Sequence, residues 1–204
     1  MRGTRHATGV DRVAPGGYIL DMTDLVTEAP AGLDPVLQIL IAPHPSLKQR
    51  AIPVLPSDRQ SVSALVPRMF DAMYRAPGIG LAAPQVGSRL RLVVVDLMPG
   101  DKRQPIVLIN PEIVAVSTEL FTREEGCLSL PGQYADVTRP AEVRVRYLDE
   151  KGAKRDISAD GLLAACLQHE IDHLDGVLFI DHLSPLKRNM IMRRLAKEQR
   201  LKDL

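Results

Sequence analysis

The chain has 204 residues, of which 45% are hydrophobic, 25% charged and 3% aromatic, and its formal net charge is +1. This length suits one well-packed domain and is too short for two large ones. The scarcity of aromatic rings argues against a stacking platform for single-stranded nucleic acid, and the small net charge against a general attraction to polyanions. The two cysteines, Cys127 and Cys166, fit a reducing compartment better than a disulfide-stapled secreted domain.

Residues 1–35 carry mixed charge and several glycines and prolines, without a sustained hydrophobic period. We predict that they form an N-terminal extension that is poorly ordered or loosely packed. The segment lacks the apolar core of a signal peptide, and its acidic residues are untypical of an organelle transit peptide. Apolar runs elsewhere are too short to span a bilayer, so we expect no membrane contact.

Hydrophobic periodicity predicts an amphipathic helix over residues 60–75, which Pro67 kinks or begins, followed by a glycine- and proline-rich loop over 76–87. Apolar runs predict short strands at 91–96, 105–110, 113–117, 142–148 and 155–157, with a hairpin turn at 149–153. A further helix is predicted over 161–175, capped by Ser158 or Asp160 and ended by Gly176, and a last one from about residue 184. These elements indicate an α+β fold.

The strongest functional signal is the segment HEIDH, residues 169–173. On a helix, His169 and His173 project from the same side, and Glu170 is within reach of a water molecule beside them. This arrangement is typical of metal-assisted hydrolysis. The alternative is a pair of exposed histidines with a solvated glutamate, but apolar residues continue the same stripe, and buried histidines need partners. We therefore predict mixed or antiparallel β-sheets around a central metal-binding helix, with an N-terminal and a C-terminal helix.

A catalytic ion usually has three protein ligands and one open position, so a third ligand is needed. Cys166 is unsuitable because its Cα lies about 10.5 Å along the helix axis from that of His173. It is better interpreted as a core residue or as part of the substrate pocket. Cys127, in the segment EEGCLSLPG, could be a buried thiol or a nucleophile. Only a thiolate ligand at this position accounts for both histidines and Glu170 together.

Three segments resemble the peptide deformylase family in wording, order and spacing: GIGLAAPQVG (78–87), EGCLSLPG (125–132) and QHEIDHLDG (168–176). The resemblance covers residues 35–183. It implies a catalytic domain over 36–183, followed by a basic helix over 184–204. It also implies a hydrolase of protein biosynthesis that removes the formyl group from N-formylmethionine of newly synthesised polypeptides. Such an enzyme is expected in the cytoplasm of a bacterium, or in an organelle if the source is a eukaryote.

The resemblance assigns roles to individual residues. Cys127, His169 and His173 would hold one divalent metal ion, for which Fe²⁺ is expected and Ni²⁺, Co²⁺ or Zn²⁺ are substitutes. Glu170 would be the general base and acid, and the oxyanion hole would be formed by the side chain of Gln85 and the backbone N–H of Leu128. The expected substrate contacts are Ile79, Gly80, Glu125, Gly126, Tyr134 and Cys166.

Two positions depart from the family pattern. Pro84 stands where some members carry a threonine, and it only stiffens the loop. Tyr134 stands where well-studied bacterial members carry an arginine near the substrate backbone, so the contacts with the peptide differ there. Asp172 and Asp175 flank the motif and are interpreted either as solvated charges or as hydrogen-bond partners of a ligand imidazole. His182 is interpreted as a surface or structural residue.

Two other functions remain open on the sequence. A zinc endopeptidase would take its third ligand downstream, from Asp175, Asp181 or His182. A non-catalytic ribosome-associated homologue would depend on the C-terminal basic residues alone, which form either a solvated helix face or a surface for ribosomal RNA. The C-terminal basic residues are Lys187, Arg188, Arg193, Arg194, Lys197, Arg200 and Lys202.

We expect the protein to be a monomer.

Overall fold

The computed structural model describes residues 36–202, so the predicted extension over 1–35 lies outside the described residues. Three α-helices and seven β-strands form the described part of the chain. In order they are α1 (Arg59–Arg75), β1 (Gly80–Ala82), β2 (Leu92–Val95), β3 (Ile106–Val116), β4 (Leu120–Cys127), β5 (Leu130–Pro140), β6 (Glu142–Leu148), β7 (Lys154–Asp160), α2 (Gly161–Leu174) and α3 (Pro185–Lys202). Short 3₁₀ turns connect several of them.

All strand pairs between these elements are antiparallel. One sheet has five strands in the order β1-β2-β3-β6-β7, and a second sheet consists of the β4–β5 hairpin. The predicted α+β class with antiparallel sheets is confirmed.

The five-stranded sheet is covered by a helix on each face. Along β2, Leu92 and Val94 pack in the cluster that contains α1, whereas Val93 and Val95 pack in the cluster that contains α2. Successive side chains of a strand point to opposite faces, so a strand covered on both sides must be apolar at every position. The run LVVV at residues 92–95 meets this requirement.

Helix α2 therefore packs on one face of the five-stranded sheet. Its apolar residues Leu167, Ile171 and Leu174 are buried against the sheet, and its motif residues His169, Glu170 and His173 are buried as well (the outer helix α1 buries Val62, Val66, Met69 and Met73). Since α2 is held on the sheet by apolar contacts, its polar side chains project into a fixed surrounding.

Four parts of the prediction needed correction. The loop predicted over 76–87 contains β1, and the segment around Cys127 forms the β4–β5 hairpin, which the glycines and the proline of EGCLSLPG concealed. Pro67 does not begin α1, because the helix starts eight residues earlier and continues past it. The strands predicted at 105–110 and 113–117 are one strand, β3, whose register with β6 shifts near Asn110, where φ is 52°.

Helix α3 packs against the hairpin rather than standing apart. Ile191 and Leu195 are buried with Leu130 and Val137 of β5 and with residues 178–180 that follow α2. None of the helices in the described range 36–202 combines the length and apolarity needed to cross a bilayer.

The end of α2 allows a test of the fold. Gly176 has φ of 75°, and an added Cβ would lie 2.7 Å from the carbonyl oxygen of Lys48. Gly152 has φ of 80°, but no atom of the described residues would lie within 4 Å of a Cβ added there. Both alanine variants should lose about 1–2 kcal/mol from left-handed backbone strain. Gly176→Ala should lose about 1–3 kcal/mol more from the collision.

Urea unfolding of the two variants and of the unsubstituted protein measures this difference directly. Equal losses for Gly176→Ala and Gly152→Ala would contradict the close approach between the end of α2 and Lys48.

Candidate metal centre

A cleft of about 510 Å³ opens between β1, the β4–β5 hairpin and α2. Every residue predicted for the site lines it, apart from His173, which is 1% exposed. The predicted residues along the cleft are Ile79, Gly80, Gln85, Glu125, Gly126, Cys127, Leu128, Tyr134, Cys166, His169 and Glu170.

Cys127, His169 and His173 converge at the inner end of this cleft. One potential ligand atom from each lies within 4.8 Å of the other two, and Cys127 Sγ is 3.2 Å from His173 Nε2. Ligand atoms bound tetrahedrally at 2.0–2.3 Å from one ion are about 3.3–3.8 Å apart. The side chains therefore fit a metal ion with small adjustments. Cys166 is not part of this cluster, and its Sγ faces the carbonyl oxygen of Ile79 at 3.8 Å.

The orientation of His169 is set by a buried ion pair. Its Nδ1 lies 2.9 Å from Glu125 Oε2, which leaves Nε2 for the cluster. Arg139 donates to both oxygens of the same carboxylate, from Nε at 2.6 Å and from the second terminal nitrogen at 3.0 Å. Burial alone would raise the pKa of Glu125, but the hydrogen bonds from His169 and Arg139 outweigh it and lower the pKa to about 2. Glu125 is therefore a carboxylate at neutral pH.

The two imidazoles differ in their electrostatic surroundings. Burial, reinforced by nearby His169, holds the pKa of His173 well below its usual value, so this ring is neutral. Burial acts in the same direction on His169, but Cys127 and Glu125 outweigh it and hold the pKa of His169 well above its usual value. Metal ligation requires a neutral imidazole, so binding at this centre releases a proton.

Glu170 lies beside the cluster without belonging to it. Its side chain is buried, and Oε2 has no hydrogen-bond partner among the described residues. A Cβ on Gly80 would come within 2.5 Å of Oε1, so only glycine allows this close contact with β1. Burial raises the pKa of Glu170 to about 7. A carboxyl group with such a pKa can both take up and release a proton near neutral pH.

The amide of Gln85 is held in one orientation. The backbone N–H of Ala82 donates to Oε1 at 2.8 Å, which identifies that atom as oxygen and turns the amide nitrogen toward the hairpin. Nε2 contacts Ser129 Oγ at 3.2 Å and Cys127 Sγ at 3.7 Å. Leu128 lies in the turn between β4 and β5, directly after Cys127. An amide donor and a backbone N–H therefore lie beside the cluster.

The outer part of the cleft is formed by backbone edges and by Tyr134. Strand β1 is at the edge of its sheet, paired only with β2 among the described strands. The ring of Tyr134 covers Gly126, where an added Cβ would lie 2.5 Å from Cε1, yet Tyr134 remains 63% exposed. Glu125 lines the cleft, but both of its carboxylate oxygens are occupied by His169 and Arg139. Its predicted substrate contact stays a prediction.

The downstream residues that an endopeptidase would use are engaged elsewhere. Asp175 accepts from Arg91 at 2.8 Å, and Asp181 pairs with Lys48. His182 lies 2.7 Å from Asp172. Of the two interpretations of Asp172 and Asp175, the hydrogen bond to an imidazole of the cluster is wrong, because Glu125 contacts His169 while Arg139 and His182 contact Asp172. Arg139 was missed by sequence reasoning, since nothing in the segment VTRPAE marks its arginine as buried.

Comparison with known proteins places this α+β chain and its candidate metal centre in one family. Residues 36–189 match the family model described as polypeptide deformylase. The peptide deformylase of Agrobacterium fabrum is 49% identical over 165 residues, which cover 80% of this chain and 96% of that protein. The crystal structure of a peptide deformylase from Legionella pneumophila is 50% identical with a TM-score of 0.77, covering 82% of this chain and 98% of that one.

A further structure carries a bound inhibitor. The peptide deformylase from Synechococcus elongatus, solved in complex with actinonin, is 44% identical with a TM-score of 0.74 and covers 79% of this chain and 88% of that one. The chain belongs to the peptide deformylase family, which is metal-dependent and hydrolyses the formyl-methionine amide. The predicted family and enzyme class are confirmed.

The low pKa of Glu125 predicts a distinct acid response of the metal-free protein. A carboxylate whose pKa falls from 4.5 to about 2 on folding stabilises the native state above pH 4.5, and this contribution is lost as the pH falls toward 2. Glu125→Gln should therefore be clearly less stable at pH 7, and the gap should shrink steadily below pH 4.5.

Urea unfolding of both proteins in the presence of a chelator, at several pH values, measures this gap. A gap of constant size from pH 7 down to pH 3 would contradict the buried ion pair.

Proposed function

We propose that this chain removes the formyl group from N-formylmethionine at the start of newly synthesised polypeptides, using the centre described above. In this proposal Cys127, His169 and His173 hold one divalent ion on the central helix α2, and Glu170 is the general base and acid. The observation that carries it is the convergence of a sulfur and two imidazole nitrogens within 4.8 Å, beside a buried carboxyl group in an open cleft.

The donor set indicates which ions are suitable. One thiolate and two imidazoles suit Fe²⁺, Co²⁺, Ni²⁺ or Zn²⁺, and ligand type alone does not select among them. Fe²⁺ is proposed as the native ion on the family resemblance. When bound there, the ion would polarise the formyl carbonyl and lower the pKa of a water molecule.

Glu170 would move the proton between water and the leaving amine. With a pKa of about 7, its ionised form accepts a proton from the attacking water, and its protonated form then delivers it to the amine nitrogen as the C–N bond breaks. The orphaned Oε2 is the atom left free for this role.

Gln85 and Leu128 would hold the oxygen on which negative charge develops. The Gln85 amide is fixed by Ala82 before any substrate arrives, so its donor needs no reorganisation. Removing a single donor of this kind typically costs about 2.7–4 kcal/mol of transition-state stabilisation.

The peptide would bind as an additional strand. The free edge of β1, at Ile79 and Gly80, offers backbone groups to an extended chain, as in β-strand addition. Cys166 and Gly126 would line the walls beside the methionine, and Tyr134 would contact the residues that follow it. This arrangement favours a substrate whose first residue lies at the closed inner end of the cleft.

Glu170→Gln tests the proposal. It should lower kcat on formyl-Met-Ala-Ser by about 10²- to 10⁴-fold while metal content stays the same, because the amide cannot exchange a proton but the ligands are intact. The surface variant Glu119→Gln is the control and should keep full activity.

Three outcomes would contradict it. If Glu170→Gln retained activity within tenfold of that of the unsubstituted protein, Glu170 would not be the general base. Faster cleavage of an internal peptide bond than of the formyl group would favour the endopeptidase. Absence of any hydrolysis in the metal-loaded protein would favour a non-catalytic homologue.

We propose a cytoplasmic monomer with its catalytic domain over residues 36–183, working where polypeptides leave the ribosome. The exposed side of α3 supports ribosome docking, because Arg193, Lys197 and Arg200 form one basic surface while Leu195 faces the core. Ribosomal RNA would attract this surface through its phosphates.

Charge reversal at Arg193, Lys197 and Arg200 to glutamate should abolish salt-sensitive cosedimentation with ribosomes while deformylation of a free tripeptide continues. A matched control reverses Arg144, Lys151 and Lys154, which are exposed on the β6–β7 hairpin, and so changes the net charge equally. If both variants pelleted equally with ribosomes, the basic surface of α3 would not be the docking surface.

A further inference from the structure

His182 lies at the outer end of a chain of hydrogen bonds that reaches the candidate metal centre. Its Nε2 is 2.7 Å from Asp172 Oδ2, and the same oxygen accepts from a terminal nitrogen of Arg139 at 2.8 Å. Arg139 in turn holds Glu125, which lies 2.9 Å from the Nδ1 of His169. These hydrogen bonds join four elements of the fold: the turn after α2, α2 itself, β5 and β4.

The exposure of the side chains increases along this chain of hydrogen bonds, from the candidate metal centre outward. The side chains of Glu125 and Arg139 are 7% and 8% exposed, that of Asp172 is 24% exposed, and that of His182 is 35% exposed. The inner pair is thus enclosed by protein, whereas Asp172 borders solvent. A carboxylate at such a position can turn toward water unless a second donor holds it.

The guanidinium of Arg139 is planar, so its donors are fixed relative to one another. Holding the nitrogen that faces Asp172 therefore fixes the plane of the two nitrogens that face Glu125. A rotation of the guanidinium plane would lengthen at least one hydrogen bond to Glu125. It would also turn the carboxylate that orients His169. The position of Asp172 thus affects the ligand imidazole although Asp172 does not touch it.

The turn Phe179–His182 contacts the centre by a second route. The ring of Phe179 stacks on that of His169, with centroids 6.3 Å apart and planes at 22°. The turn itself is held by Asp181, which accepts from the backbone N–H of Leu178 at 2.8 Å and pairs with Lys48. His182 therefore projects from a rigid segment, which is what a positioning residue requires.

We propose that His182 is a positioning residue of the metal centre: by donating to Asp172 it holds Arg139 and Glu125 in the orientation that presents His169 to the ion. The inference rests on the proposed metal site. It assigns a function to a histidine 35% exposed at the surface, outside the cleft. Neutral and protonated His182 can both donate from Nε2, so the role does not depend on its charge.

The test uses the Co²⁺-loaded full chain and follows two readouts, the absorption spectrum of the ion with its thiolate ligand and the rate of Co²⁺ loss to excess chelator. Removing a direct partner of a ligand typically weakens metal binding about 10–100-fold. His182→Leu acts three residues further out than Glu125, and we expect about three- to tenfold faster loss with a shifted spectrum. His182→Gln retains an N–H donor and should restore both.

A double variant separates this role from general loosening. If His182 acts through Asp172, His182→Leu should have no further effect when Asp172→Asn is already present, whereas independent effects would add. Lys151→Leu is the surface control, because Lys151 is exposed in the turn between β6 and β7, and it should release Co²⁺ at the unsubstituted rate.

The outcomes distinguish the two proposals. If the unsubstituted chain gives no thiolate–Co²⁺ absorption, the proposed metal site itself fails. If it does, and His182→Leu loses Co²⁺ at the same rate, the role of His182 is overturned. Faster loss that His182→Gln does not restore, or that adds to the effect of Asp172→Asn, also overturns it. Should His182→Leu not fold, His182→Ser replaces it in every comparison.

Discussion

Cys127 Sγ and His173 Nε2 approach to 3.2 Å although 46 positions separate them in the chain. The contact joins the tight turn of the β4–β5 hairpin to the last turns of α2. The helix is held by apolar packing on the five-stranded sheet, and the hairpin is held by α3 and by the residues after α2. The geometry of the centre therefore depends on how two separate hydrophobic clusters place a strand end against a helix face.

Burial makes Glu170 able to exchange a proton near neutral pH, and it also makes charged groups at this centre unfavourable. The same enclosure that raises the pKa of Glu170 to about 7 would make an isolated Glu125 charge expensive. Arg139 balances that charge inside the protein, and Asp172 balances the arginine nearer to the surface. The pKa of Glu125 is thus lowered and that of Glu170 raised, because His169 and Arg139 donate hydrogen bonds to Glu125, whereas burial prevails at Glu170.

The helices and the motif on α2 follow from local patterns, and so could be predicted. The periodicity of residues 60–75 and the HEIDH spacing are each contained within a few turns. The β4–β5 hairpin was missed because Gly126 and Pro131 interrupt the strand pattern on either side of its turn, while the turn itself, 128–129, lacks the usual glycine or asparagine. Arg139 was missed because its partners lie 14 and 33 positions away, and only the folded chain brings them together.

Asp172 shows the limit of reasoning by proximity in sequence. It precedes His173, yet successive residues of a helix differ by about 100° in direction, so Asp172 contacts Arg139 of the hairpin and not the cluster of Cys127 and the two histidines. Cys166 could be placed correctly because its exclusion depended only on helix rise. The rise along a single helix sufficed to separate Cys166 from the cluster, whereas the partners of Asp172 depend on the strand packed beside the helix.

X-ray absorption spectroscopy of the protein purified without oxygen tests the central claim most directly. The account predicts one sulfur neighbour at about 2.3 Å and two imidazole nitrogens at about 2.0–2.1 Å, by analogy with zinc sites, and loss of the sulfur neighbour in Cys127→Ser. A bound ion surrounded only by nitrogen and oxygen in the unsubstituted protein would contradict it.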